Sequence, residues 1–104
     1  MTSKTPAVLT DAQITTALKS LSGWKRDGDK ITKTYKLENY MDGLAFASTV
    51  GTIAMGLDHH PDILIAYKKV TVTYFTHSAG DKITQNDVEA AQAIESLPFK
   101  PGVA

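Results

Sequence analysis

Cysteine is absent from the chain. No disulfide framework, zinc–thiolate centre or cysteine nucleophile can therefore be built, and a reduced compartment suits such a sequence. Charge of one sign is lacking too. Eleven basic and eleven acidic residues cancel to a formal net charge of zero, which argues against direct nucleic-acid binding through a basic face. No apolar run approaches the roughly 20 residues of a membrane-spanning helix, and Met1 to Thr10 lack an apolar signal core. The expectation is cytoplasmic localisation without membrane association. Glycine-rich phosphate loops and nucleophile-elbow patterns are also missing, which counts against nucleotide-binding and serine-hydrolase classes.

What is present suits one modest core. The chain has 104 residues, 42% hydrophobic and 21% charged, ordinary values for a globular domain. A single domain over 1–104 is expected, with flexible ends at about 1–9 and 98–104, the latter marked by Pro98, Pro101 and Gly102. Neither an internal repeat nor a low-complexity segment interrupts it.

Apolar spacing then places the elements. Thr10-Asp11 can cap a helix to about Ser20, with Ile14, Leu18 and Leu21 at helical intervals and Ser22-Gly23 as its stop. Trp24-Lys25-Arg26 reads as a short strand, with Trp24 in the core. Asp27-Gly28-Asp29 turns the chain into Ile31–Leu37, where Ile31, Lys33 and Tyr35 point one way and Thr32, Thr34 and Lys36 the other. Asn39 can cap a long helix with a stripe of Leu44, Ala47, Val50, Ala54 and Leu57, flanked by Phe46 and Ile53. Gly43, Gly51 and Gly56 each weaken an isolated helix by about 1 kcal/mol relative to alanine. Such small residues suit close packing, inside the monomer or against another subunit. Pro61 must end this helix. Ile63–Tyr67 is a continuous apolar run that reads as a buried strand, and Lys68-Lys69 connects it to Val70–Phe75. Ser78–Lys82 is a loop, and Thr84 caps a last helix carrying Val88, Ala91, Ile94 and Leu97. The expected architecture is α+β, a four-stranded antiparallel sheet with three helices on one face in the order α-β-β-α-β-β-α. Its edge strands invite self-association.

Only three histidines occur, and two are adjacent. His59 and His60 stand at the expected end of the long helix, where the negative end of the helix dipole and the flanking Asp58 and Asp62 favour a protonated ring. His77 stands at a strand end, on the polar side by parity with Thr71, Thr73 and Phe75, and should be accessible. Imidazoles suit proton transfer near neutral pH, typically contributing ~10²–10⁴-fold in rate. Spacing alone equally permits helix and strand caps, or a metal site with Asp58 or Asp62. Against the last, adjacent helical residues point roughly 100° apart.

The run Asp58-His59-His60-Pro61-Asp62, then Tyr67, Val70-Thr71-Val72-Thr73, Thr76-His77, and Thr84 with Asp87 resembles the signature of pterin-4a-carbinolamine dehydratases, and the similarity extends from about Thr10 to Leu97. The resemblance implies removal of water from 4a-hydroxytetrahydrobiopterin to give quinonoid dihydropterin, recycling the cofactor spent by aromatic amino acid hydroxylases. It implies no metal and no cofactor, and assembly as a homodimer or homotetramer through sheet edges and the long helix. By the same analogy His59, His60 and His77 are catalytic. His59 and His77 do the acid–base work, while His60 positions the ligand and shares in proton transfer. Asp58, His60 and Pro61 would bind substrate, and Asp87 would organise the start of the last helix. Some members also act as coactivators that bind a transcription factor, so the alternative is a catalytically weak, protein-binding relative. Two departures bear on turnover and affinity: Met55 stands where many members carry an acidic or polar residue, and Ile63 where several carry an aromatic.

Overall fold

The computed structural model describes residues 6–103, so the first five residues of the expected lead-in lie outside it. Within it, local chemistry starts each helix where the sequence suggests. In α1 (Asp11–Lys19), Gln13 N–H donates to Thr10 Oγ1 and Thr10 N–H donates to Gln13 Oε1, a reciprocal capping box. Asn39 caps α2 (Tyr40–Leu57) by accepting from Asp42 N–H at 2.9 Å. Thr84 and Asp87 form a second capping box at α3 (Gln85–Glu95). Each cap contributes about 1 kcal/mol.

The strands are β1 (Lys25–Asp27), β2 (Lys30–Lys36), β3 (Asp62–Ala66), β4 (Lys69–Tyr74) and β5 (Gly102–Val103). They form an antiparallel sheet in the order β1-β2-β4-β3, with β5 also paired to β2. Alternation along β2 and β4 sends Ile31, Lys33, Tyr35, Val70, Val72 and Tyr74 to the helix side, where all are buried. On the opposite face Thr32 meets Thr73 at 3.0 Å and Thr34 meets Thr71 at 2.8 Å. Ile14, Leu21, Trp24, Phe46, Val50, Val88 and Ile94 complete the core from the helices and the α1–β1 connection, each burial contributing ~1.5–3 kcal/mol. The α+β architecture is as expected.

Four local expectations are corrected. The Ile63–Tyr67 run is not a buried strand: β3 is the sheet's edge, and Leu64 and Tyr67 are largely exposed. The buried positions of α2 are Gly43, Phe46, Ala47, Val50 and Ala54; Phe46 belongs to the core, and Leu57 lies outside. Residues 98–104 are not wholly loose, since Gly102 and Val103 pair with Lys36 and Tyr35 of β2. At the other end Val8 bridges Thr84, and Leu9 N–H donates to Ile83 O at 2.9 Å. The tail also explains one glycine. Gly23 has φ +81°, and a Cβ there would lie 2.8 Å from both Lys33 Cε and Val103 Cγ2.

Beneath this corner sits a polar cluster. Lys33 Nζ donates to Ser22 O at 2.8 Å and pairs with Glu95 Oε2 at 2.9 Å. Tyr35 Oη and Trp24 Nε1 donate to the same carboxylate oxygen at 2.8 and 3.2 Å. Burial raises the proton affinity of Glu95, but the donated hydrogen bonds from Lys33, Tyr35 and Trp24 outweigh it and hold the pKa below the usual value.

Candidate functional site

The chain leaves α2 earlier than the proline requires. Asp58, with φ 52° and ψ 41°, takes the left-handed conformation, and its N–H bonds the carbonyls of Ala54 and Met55. His59 N–H then returns to Ala54 O at 3.1 Å, closing a Schellman-type end. His59 and His60, expected at the end of the helix, therefore sit just beyond its cap, freed from the divergence of adjacent helical positions.

The α2 cap turns His59 toward α3. Its Nε2 lies 2.6 Å from Oδ1 of Asp87, whose side chain is fully buried, and its ring stacks on Tyr74 at 5.3 Å and 15°. Asp87 Oδ2 accepts from Thr84 N–H at 2.8 Å and from Thr76 Oγ1 at 2.9 Å. Thr84 Oγ1 lies 2.8 Å from Thr76 Oγ1 and accepts from Asn86 N–H. The donors form one chain, from Asn86 N–H through the two hydroxyls to the carboxylate. With Asp87 as a carboxylate, an acceptor only, every donor of this chain finds a partner and the bond to His59 is donated by the ring. His59 Nε2 therefore carries a proton, and in the neutral ring Nδ1 keeps its lone pair. Burial, with the charge of Asp87 second, pushes the hydroxyl of Tyr74 up to about 12, so it stays protonated.

His77 opens a short 3₁₀ turn, His77–Ala79, after β4. Its Nδ1 lies 2.7 Å from Asp81 Oδ1, and its ring meets Phe75 edge-on at 4.6 Å. Here Nδ1 is the donor and Nε2 the free nitrogen, the reverse of His59. Thr76 joins the two pairs: its hydroxyl supports Asp87, and its carbonyl accepts from Asp81 N–H at 3.1 Å. His60 has a softer neighbour, the Sδ of Met55 at 3.2 Å from Nε2.

One open cleft of about 250 Å³ is lined by Asp58, His59, His60, Phe75, Thr76, His77 and Ser78. Five residues from the family-like signature thus meet there: Asp58, all three histidines and Thr76. Pro61 is not in the lining. Asp62, expected beside the histidine pair, lies in β3 opposite Thr73. Two partners went unread in the sequence. Asp87 was assigned to the helix start, which it does organise, but its second oxygen holds His59; the Thr84–Asp87 capping-box spacing was the available signal. Asp81 stands four residues after His77, with nothing in sequence to mark it. Among the described residues, no three His, Cys, Asp or Glu side chains group closely enough to hold a metal ion, and no helix is long and apolar enough to cross a membrane.

Comparison with known proteins bears on the same residues. The sequence profile described as Pterin 4 alpha carbinolamine dehydratase matches residues 7–97. A protein of Natronomonas pharaonis is 40% identical over 89 residues, 86% of this chain and 94% of that protein. One of Mycobacterium avium is 43% identical over 91 residues, 88% of this chain and 96% of that protein. Both names assign them provisionally as pterin-4-alpha-carbinolamine dehydratases. A solved structure from Brucella melitensis, named as a transcriptional coactivator/pterin dehydratase, superposes with a TM-score of 0.80 at 30% identity, covering 86% of this chain and 97% of that one.

Proposed function

The chain belongs to the pterin-4a-carbinolamine dehydratase family, and on that premise we propose that it dehydrates 4a-hydroxytetrahydrobiopterin to quinonoid dihydropterin. The observation that carries this reading is that His59, His60 and His77 line one cleft, with His59 backed by the buried Asp87 and His77 by Asp81. The C4a hydroxyl leaves as water when an imidazolium protonates it as the C–O bond breaks. A neutral imidazole takes the proton from N5, and the electron pair of the N–H bond becomes the new C=N bond. One ring loses a proton and another gains one, so exchange with solvent resets the site. The opposite tautomers of His59 and His77 suit this division. His59 Nδ1 and His77 Nε2 are the atoms free to exchange protons, while His60 positions the ring with a share in transfer and Asp58 accepts a hydrogen bond from the pterin. Pro61 supports this by fixing the chain after His60. The product would return to the pool used by aromatic amino acid hydroxylases. Met55 offers His60 only a thioether, a weak acceptor, which leaves that ring less firmly held than the other two.

The test is the rate of 4a-hydroxytetrahydropterin dehydration, with and without chelator. Wild type should accelerate the reaction, chelator should leave it unchanged, and His59→Ala and His77→Ala should each lose about 10²-fold or more; His60→Ala should chiefly raise KM. No acceleration from folded wild type overturns the proposal. The coactivator name of the Brucella melitensis protein favours a second reading, a protein-binding module. That reading gains if wild type is inactive and a transcription factor's dimerisation segment binds it.

A further inference from the structure

We propose that Asp81 is a positioning residue of the cleft, holding the His77 ring so that Nε2 faces the reaction; this rests on the dehydratase reading above. Asp81 has φ +62° directly after Gly80 at φ +75°. Glycine adopts that conformation freely, whereas a residue with a Cβ is strained in it, aspartate less than most. The backbone around it is fixed. Asp81 N–H donates to Thr76 O at 3.1 Å, and Thr76 N–H to Lys82 O at 2.9 Å. That closed turn and the positive φ bring the carboxylate back over the 3₁₀ segment onto Nδ1 of His77. Phe75 bounds the ring on another side, so the remaining nitrogen, Nε2, is the one available to the cleft.

Stability does not account for this arrangement. The two side chains are 76% and 63% exposed, and exposed ion pairs contribute little to folding. A strained aspartate at a position suited to glycine, pairing with an exposed histidine, is better explained by the orientation it imposes. The charged and titratable groups around His77 are Asp81 on its own turn, Asp58, His59 and His60 across the cleft, and Lys30, whose Nζ lies 4.9 Å from the Phe75 ring centroid.

Asp81→Gly relieves the backbone and removes the carboxylate at once, so the two roles separate in sign. The variant should melt at or above the wild-type temperature. Its kcat for dehydration should fall roughly tenfold, a part of the ~10²–10⁴-fold that acid–base catalysis provides, with KM little changed. The imidazole ¹⁵N signals of His77 should lose their fixed Nδ1–H tautomer. Asp81→Asn, which tolerates the same φ and keeps one acceptor oxygen, should restore much of kcat and of the Nδ1–H tautomer. Unchanged kcat and unchanged His77 signals in Asp81→Gly would overturn the inference, as would a kcat loss accompanied by a lower melting temperature. The nitrogen signals are read without substrate. If wild type fails to dehydrate the pterin, they still decide whether Asp81 sets His77, so the two failures are distinguishable.

Discussion

Asp87 shows how much one buried carboxylate can organise. Its two oxygens accept from Thr84 N–H, the Thr76 hydroxyl and His59, linking a helix cap, a strand end and a cleft imidazole. Replacing it with alanine strands these buried donors at ~1–3 kcal/mol each, so Asp87→Ala should unfold at much lower denaturant concentration. Asp87→Asn is the more informative change. Its Oδ can keep the Thr76 and Thr84 bonds, but its amide then presents N–H to His59 Nε2, and two donors cannot pair. The ring must shift its proton to Nδ1, the atom proposed to exchange protons with the substrate. We expect a folded protein with a modest stability loss, a His59 tautomer reversed by ¹⁵N NMR, and dehydration slowed by about 10²-fold or more. At this scale the sequence was partly legible. The histidines and Asp58 stood out because those residue types are rare and adjacent. Asp87 was visible only in its helix-starting role, because its contact with His59 joins positions 28 apart, which no local spacing encodes. Asp81 was invisible for a different reason: its meaning lies in a positive φ.

Caps and alternation made most elements legible, and the failures have physical causes. A short apolar run states that a segment avoids water without saying what covers it, so Ile63–Tyr67 read as buried although β3 is an edge. Helical stripes drift similarly, and Phe46 replaced Leu57 in the core. The two-residue β5 has too little pattern to be read and depends on a free stretch of β2 edge. The glycines of α2 sharpen this point. Small residues there permitted close packing either inside the monomer or against another subunit. Yet a Cβ at Gly51 or Gly56 meets no described atom within 4 Å, and at Gly43 it makes only ordinary contact, 3.5 Å from Val70 Cγ2. Packing within the chain therefore does not require small residues at Gly51 and Gly56, and the other alternative, packing against a second copy, is open to test. Gly51→Ala decides between the two. It should raise helix stability by roughly 0.5–1 kcal/mol in the monomer. If α2 also packs against a partner, sedimentation should show a weakened assembly in the same variant.

At the scale of the whole molecule, stability and pH are joined through the cluster around Glu95. It ties the α1–β1 connection, β2 and the end of α3 by contacts between residues 60 to 71 positions apart. Parity had already put Lys33 on the same side as Ile31 and Tyr35, but a lysine on a core face says nothing of its partner until the fold brings Glu95 to it. The sign of the pH effect follows from the shifts. Glu95 is held below its ordinary value of 4.5 in the folded state, so the unfolded chain binds a proton first. Its contribution is complete above about that pH and is lost as pH falls through the lower folded value. Tyr35 and Tyr74 move the other way, raised from 10.0, chiefly by burial. Their contribution is complete below that value and declines as the unfolded tyrosines ionise above it. Urea unfolding midpoints should therefore hold a plateau between these limits and fall on both sides. Glu95→Gln should flatten the acid fall. It should also lower stability at pH 7 by roughly 2–4 kcal/mol, because Lys33 keeps its charge in a buried place without its counter-ion. Adding Lys33→Met should recover much of that loss by removing the stranded ammonium. A double variant no more stable than Glu95→Gln would show that the tyrosine and tryptophan donors, not the ion pair, make this corner depend on Glu95.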